Sequence, residues 1–288
     1  MAGRAVAGSA VASVAASRDP AALHIPGAAA RSVNDLQLVI HAGRDRDGVP
    51  ETFGRIELRT GDLLALVGPT GSGKSRFLAD IEWLSEGDSP SGRRVELSGA
   101  GASAQDRCQG AHHRVAQLSQ SMQFTLDLDV GAFLVLHARA REVPDPDAMV
   151  ERVVASACTL CGEAFGPRTH LSALSGGQSR ALMISDTAIL TAAPVVLVDE
   201  VENAGVDRRR AMDLLVDHDK IVLMATHDPL LALLAPRRLV FARGGIRQPR
   251  PRSVEELALL RELEGLDERV SQVRERLRAG LSANVDSI

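Results

Sequence analysis

The sequence predicts an α/β protein with a mostly parallel sheet, an antiparallel β element near its start, a helical subdomain and a C-terminal helix. Three observations predict it. Short apolar runs at Leu63–Val67, Val195–Val198 and Ile221–Ala225 read as strands buried on both faces. Helical stretches separate them, and apolar strands alternating with helices layer into a parallel sheet covered on both sides. A Gly-rich turn joins the first of these strands to a helix, the context a phosphate-binding loop requires.

Taken in order, residues 1–32 are rich in Ala, Gly and Ser and read as a flexible tail rather than a signal peptide, because the run from Ala5 to Ala16 lacks Leu, Ile and Phe. Ser32–Ile40 reads as a strand, residues 42–51 as a polar loop, and Arg55–Arg59 as a half-buried strand alternating with period two. Gly61-Asp62 is a turn before Leu63–Val67. Helices are expected at Ser75–Leu84, Asp147–Cys161, Gln178–Leu190 and Arg208–Asp217. Pro249 and Pro251 close the domain. Beyond them Leu259, Leu263, Leu266, Val270, Val273 and Leu277 step by four and three, an a/d seam of nearly three heptads. It fits a helix docked on its own domain or one that pairs with a partner; Gly265 weakens either helix by roughly 1 kcal/mol.

Composition bounds the function. The 288 residues carry a net charge of −4. No stretch reaches the roughly 20 apolar residues that cross a bilayer. There is no basic excess, and six Phe, one Trp and no Tyr make poor base-stacking platforms, which argues against nucleic acid as a partner. Three cysteines, Cys108, Cys158 and Cys161, are too few and odd in number for a disulfide framework, which favours a reducing cytoplasm. Cys158 and Cys161 lie one helical turn apart and with Cys108, His112 and His113 could form a metal site, but buried or incidental thiols fit better without a second close pair.

Two motifs carry chemistry. Gly68-Pro69-Thr70-Gly71-Ser72-Gly73-Lys74-Ser75 matches G-x-x-x-x-G-K-[ST]. Its glycines let backbone N–H groups curl around phosphate oxygens, and the following helix adds its positive end. Lys74, one of only two lysines, supplies a mobile charge for the β and γ phosphates, and the Ser75 hydroxyl is a hard ligand for Mg²⁺. Val195–Val198 ends in Asp199 and Glu200. Asp199 is expected to hold Mg²⁺, and Glu200 to polarise the attacking water as general base.

Leu174-Ser175-Gly176-Gly177-Gln178, lying between those motifs, gives the chain its resemblance to the ATP-binding cassette (ABC) family of P-loop ATPases. That resemblance covers roughly residues 33 to 248. It implies an ABC-type ATPase domain over 33–248 with a helical subdomain at about 125–172, to which the heptad pattern adds a helical extension at 249–288. It implies Mg-ATP hydrolysis by a dimer in which Ser175, Gly176, Gly177 and Gln178 serve the ATP of a second ABC subunit, homo- or heterodimeric. Gln120 matches the family's Q-loop glutamine, contacting Mg²⁺ and water, with Gln117 as the rival. His227 matches the switch histidine, and the segment ending at Asp207 the D-loop. The chain departs from the usual transporter cassette at Arg76 after the phosphate loop, at residues 184–190, and at 201–207, one residue longer than usual. No adenine-stacking aromatic is evident; Phe53, His41 and Arg44 are candidates. The expected role is the nucleotide-binding subunit of an ABC transporter, working on a separate membrane permease, cytoplasmic or peripheral on the inner face of the membrane. The alternative is a soluble ATPase that remodels a protein or metalloenzyme complex.

Overall fold

The computed structural model describes residues 22–23, 36–99, 114–119, 124, 126–199 and 205–282. Apart from Ala22–Leu23, the expected tail therefore lies outside the described residues, as do Gln120, Glu200, Cys108, His112, His113 and most of the D-loop-like segment.

Among the described residues the strands form two sheets. The smaller has β1 (Ala22–Leu23), β3 (Arg55–Arg59), β2 (Gln37–His41) and β5 (Val95–Ser98) in that order, with β2 antiparallel to both β3 and β5. It is the expected antiparallel element. The larger sheet orders β10 (Gly245–Pro251), β9 (Arg237–Ala242), β4 (Leu63–Val67), β8 (Ile221–Ala225), β7 (Val195–Asp199) and β6 (Val115–Leu118). Its neighbours are parallel from β9 through to β6, and only β10 runs antiparallel. β10 carries Pro249 and ends at Pro251, so the two prolines expected to close the domain form the end of the edge strand. An edge strand tolerates proline because its outer N–H groups have no ladder to join.

Successive residues of the central strands point to opposite faces and feed two cores. Ala65, Val196, Val198, Val222 and Met224 join one, with the helices that follow β6. Leu64, Leu66, Leu197, Leu223 and Ala225 join the other, with the smaller sheet and α1 (Lys74–Glu82). This two-sided burial explains why β4, β7 and β8 read as unbroken apolar runs.

Helix starts follow their caps. α2 (Val130–Ala140) begins after Asp129, whose carboxylate accepts from Ala132 N. α3 (Pro146–Cys161) begins one residue before the sequence expectation because Asp145 caps it and Pro146 takes the first position, where a missing N–H costs nothing. α4 (Gly176–Ile189) begins two residues early because Ser175 caps it. α5 (Arg208–Asp217) starts where expected, after Asp207. A short α6 (Pro229–Leu234) follows Asp228.

The final helix, α7 (Val254–Arg278), opens with a capping box: Ser253 Oγ accepts from Glu256 N, and the Glu256 carboxylate accepts from Ser253 N at 2.9 Å. It docks on its own domain through buried Leu260 and through Arg238 to Glu256, Arg209 to Glu264 and Arg208 to Asp267. Of the expected seam, Leu263 packs against the core, whereas Leu259, Leu266, Val270 and Leu277 are 46–60% exposed.

Candidate nucleotide site

β4 delivers the chain into the loop Gly68–Ser75 at the edge of the parallel sheet where β7 and β8 also end. Gly73 is left-handed at φ 110°, and a Cβ there would stand 2.8 Å from Gly244 Cα. At Gly68 a Cβ would meet Phe241 O at 2.6 Å. Only glycine fits either position, which gives the motif's spelling a steric reason. The loop is braced from outside: Gly244 N donates to Ser72 O at 2.8 Å, and the Arg46 guanidinium donates to Gly71 O at 3.1 Å.

Lys74 is buried, and its ammonium reaches Gly68 O at 2.8 Å, Pro69 O at 3.2 Å and His227 Nε2 at 3.3 Å. An ammonium can only donate, so His227 accepts through Nε2. Residues 153 positions apart thus meet at one point. His227 itself is exposed, just beyond β8. Asp199 ends β7 directly opposite Ala225, two residues before His227. Ser75 and Arg76 sit exposed in the first turn of α1.

The donor set suits a nucleotide with its metal. The Ser72 hydroxyl is buried inside the loop without a hydrogen-bond partner among the described residues, and a Cβ on Gly68 would crowd it at 2.9 Å. Ser75 and Asp199 add hard oxygens of the kind Mg²⁺ prefers.

Ser175, Gly176, Gly177 and Gln178 lie at the other motif. Ser175 and Gln178 close a capping box: Gln178 N donates to Ser175 Oγ at 3.2 Å, and Ser175 N to Gln178 Oε1 at 2.9 Å. Ser175 and Gly176 are exposed, and nothing lies within 4 Å of a Cβ built on Gly176. Gly205 approaches this turn, a Cβ on it standing 3.8 Å from Gly177 Cα. The turn faces outward rather than into its own core.

Three supporting residues escape sequence reasoning. Arg46 and Gly244 touch the phosphate loop from positions 25 or more residues away, and no local pattern marks them. Arg208 pairs with both Asp228, next to His227, and Asp267 of α7. Behind the loop lies a buried charge cluster. Arg93 is fully buried; its guanidinium donates to Glu51 through Nε (3.1 Å) and Nη2 (2.5 Å) and to Asp80 at 2.9 Å, and lies over the Phe77 ring. Glu51 also accepts from Gly43 N and Ile246 N. Burial opposes the Arg93 charge, but the hydrogen bonds and charges of Glu51 and Asp80 outweigh it and raise its pKa.

Of the adenine candidates, Phe53 is half-buried and packed on the core, His41 faces Glu96 at 3.4 Å, and Arg44 is exposed. Cys158 and Cys161 are occupied by backbone: Cys158 Sγ donates to Phe165 O and Cys161 Sγ to Glu163 O. Burial pushes the Cys161 thiol pKa up. Among the described residues no group of three metal-ligating side chains occurs.

A phosphate loop, a strand-end carboxylate, a switch-like histidine and an outward serine-glycine turn on this sheet order define a nucleotide-binding cassette. The family profile for ABC transporters matches residues 55–203. The chain is 39% identical over 244 residues to an uncharacterised ABC transporter ATP-binding protein of Methanocaldococcus jannaschii, covering 85% of this chain and 93% of that one. It is 30% identical over 208 residues to the phosphonates import ATP-binding protein PhnC 2 of Pseudomonas aeruginosa, covering 66% and 74% of the two chains. Among solved structures, an ATP-binding subunit of an ABC transporter superposes with TM-score 0.57 at 18% identity, covering 88% of this chain and 97% of that one. The cbiO1 protein from Clostridium perfringens superposes at 0.55 and 19% identity, covering 85% and 97%. At those identities the superpositions speak for the fold alone. The chain belongs to the ABC transporter ATP-binding family. No helix among the described residues is long and apolar enough to cross a membrane.

Proposed function

We propose that this chain is the nucleotide-binding subunit of an ABC transporter, hydrolysing Mg-ATP to ADP and phosphate in a dimer with a second cassette and driving a separate membrane permease. The observation that carries the reading is the contact of Lys74 with His227 within the glycine cradle, which brings the phosphate loop and the switch position together. The backbone of residues 68–75 holds the phosphates, and Lys74 exchanges its carbonyl and histidine partners for phosphate oxygens. Ser75 and Asp199, with Gln120, would hold Mg²⁺, which spreads the charge developing on the β and γ oxygens. Glu200 takes the proton of the attacking water, and His227 orients the γ-phosphate end. The outward turn at Ser175–Gln178 presents N–H groups at a helix N-terminus to the second subunit's nucleotide.

Glu200→Gln tests the reading. It should keep nucleotide affinity within about threefold, lower turnover by at least about 100-fold and trap an ATP-bound dimer in size-exclusion chromatography. Retained turnover would show that another residue serves as base. A pull-down that returns a polytopic membrane protein supports the transporter reading, and one that returns only a soluble enzyme overturns that part of it.

A further inference from the structure

Helix α7 presents more apolar surface than its docking uses. Its domain-facing side is built from Glu256, Leu257, Leu260, Glu264 and Asp267, with Leu263 at its margin. Leu259, Leu266, Val270 and Leu277 form a second stripe, roughly a quarter turn round the helix at 100° per residue, and all four are exposed. Leu263, whose other side packs against the domain core, and Val273 complete it and are half-buried.

We infer that this stripe is a self-association surface, occupied by the same helix of a second copy running antiparallel. The register supports a second copy over an unrelated helix. With Leu259, Leu266 and Val273 as d positions and Leu263, Val270 and Leu277 as a positions, an antiparallel pair places each a residue in a layer with a d residue. Leu259 then faces Leu277 of the second copy, Leu263 faces Val273, and Leu266 faces Val270. All three layers share one midpoint, residue 268, so a single two-fold axis satisfies every layer twice, as an isologous contact requires.

Charge selects the orientation. Residues 254–268 carry six carboxylates and one arginine, and residues 269–278 carry four arginines and one glutamate. A parallel pair would set acidic half against acidic half; the antiparallel pair sets acidic against basic. Glu262 and Arg276 lie on one flank of the stripe, centred within one residue of the same axis, so each Glu262 meets Arg276 of the second copy, whose guanidinium also donates to Ser282 O of its own chain. Three layers make a short contact. They hold two copies at raised local concentration without nucleotide, leaving the nucleotide-dependent contact to form within an existing pair.

The test is sedimentation of the full chain without nucleotide or Mg²⁺, so its failure is separate from failure of the ATP-trapped dimer above. The chain should dimerise below about 100 µM, and Leu266→Glu combined with Val270→Glu should make it monomeric with Tm and ATP affinity unchanged. Glu262→Arg and Arg276→Glu should each weaken dimerisation by about tenfold, and the two together in one chain should restore it to within about threefold. A monomer at that concentration, a dimer that survives the double glutamate change, or a charge reversal that fails to restore it would each overturn the inference.

Discussion

The two glycine turns of this molecule are built in opposite ways. At Gly73 the backbone is left-handed and pressed against Gly244, and Arg46 and Lys74 close around the loop. At Gly176 nothing lies within 4 Å of a Cβ, and the turn is held by its own Ser175–Gln178 capping box and a 3.4 Å hydrogen bond from Ser175 Oγ to Glu163. The first is a cradle completed by its own chain; the second is an open turn that the proposed dimer would cover. One sequence letter, glycine, therefore reports steric necessity in one place and access in the other.

Substitutions can break that comparison. Gly73→Ala should have the largest effect in it: about 2–4 kcal/mol of stability lost and nucleotide affinity reduced by more than about tenfold, by thermal melts and nucleotide titration. A well-folded Gly73→Ala variant that binds normally would erase the distinction. Gly176→Ala should leave Tm and the affinity of the isolated chain nearly unchanged and lower turnover, because the Cβ intrudes only on what docks there. Ser175→Ala should cost about 1 kcal/mol through the lost cap, a Tm shift of about 2–4 °C, and also lower turnover with binding intact. Loss of binding in either would mean that the turn serves its own chain's nucleotide.

The smallest effect concerns α7. The hydrogen bond from Arg238, then that from Ser253 N, holds the Glu256 pKa down at about 2. A folded-state pKa below the unfolded value adds stability above about pH 4.5 that is lost as pH falls towards 2. Melts between pH 6 and 3 should show this component in the wild type and lack it in Glu256→Gln.

Much of this was legible in the sequence, for reasons that differ by region. Arg55–Arg59, Leu63–Val67 and Ile221–Ala225 match their strands because burial on one or both faces leaves its period in the letters. The strand expected from Ser32 is described only from Gln37, and the helix expected at Ser75 starts at Lys74, since Gly73 caps it through backbone conformation, not a side chain. The sequence marks α2 only as part of the helical subdomain expected at about 125–172, and it does not mark β5, β6, α6 or the β9–β10 hairpin. β5 and β6 are four residues long, too short for a period, and Arg237–Ala242 alternates in burial but not in its letters, because Arg237 sits on the buried face and Val240 and Ala242 on the half-exposed one. The phosphate loop, Asp199, His227 and Ser175 were visible as motifs. Arg46, Gly244 and Arg208 were not, because their roles come from contacts between distant segments.

The carboxylate of Glu51 has a dynamic consequence. It joins Gly43 N, Ile246 N and the Arg93 guanidinium, three stretches far apart in the chain. Freeing Arg93 strands a buried carboxylate, and freeing either amide takes a hydrogen bond from it, so the wall behind the phosphate loop resists fraying from one end. Amide hydrogens at residues 43 and 246 should exchange with solvent at one shared slow rate, marking a single cooperative opening unit rather than a loose loop and a fraying edge strand.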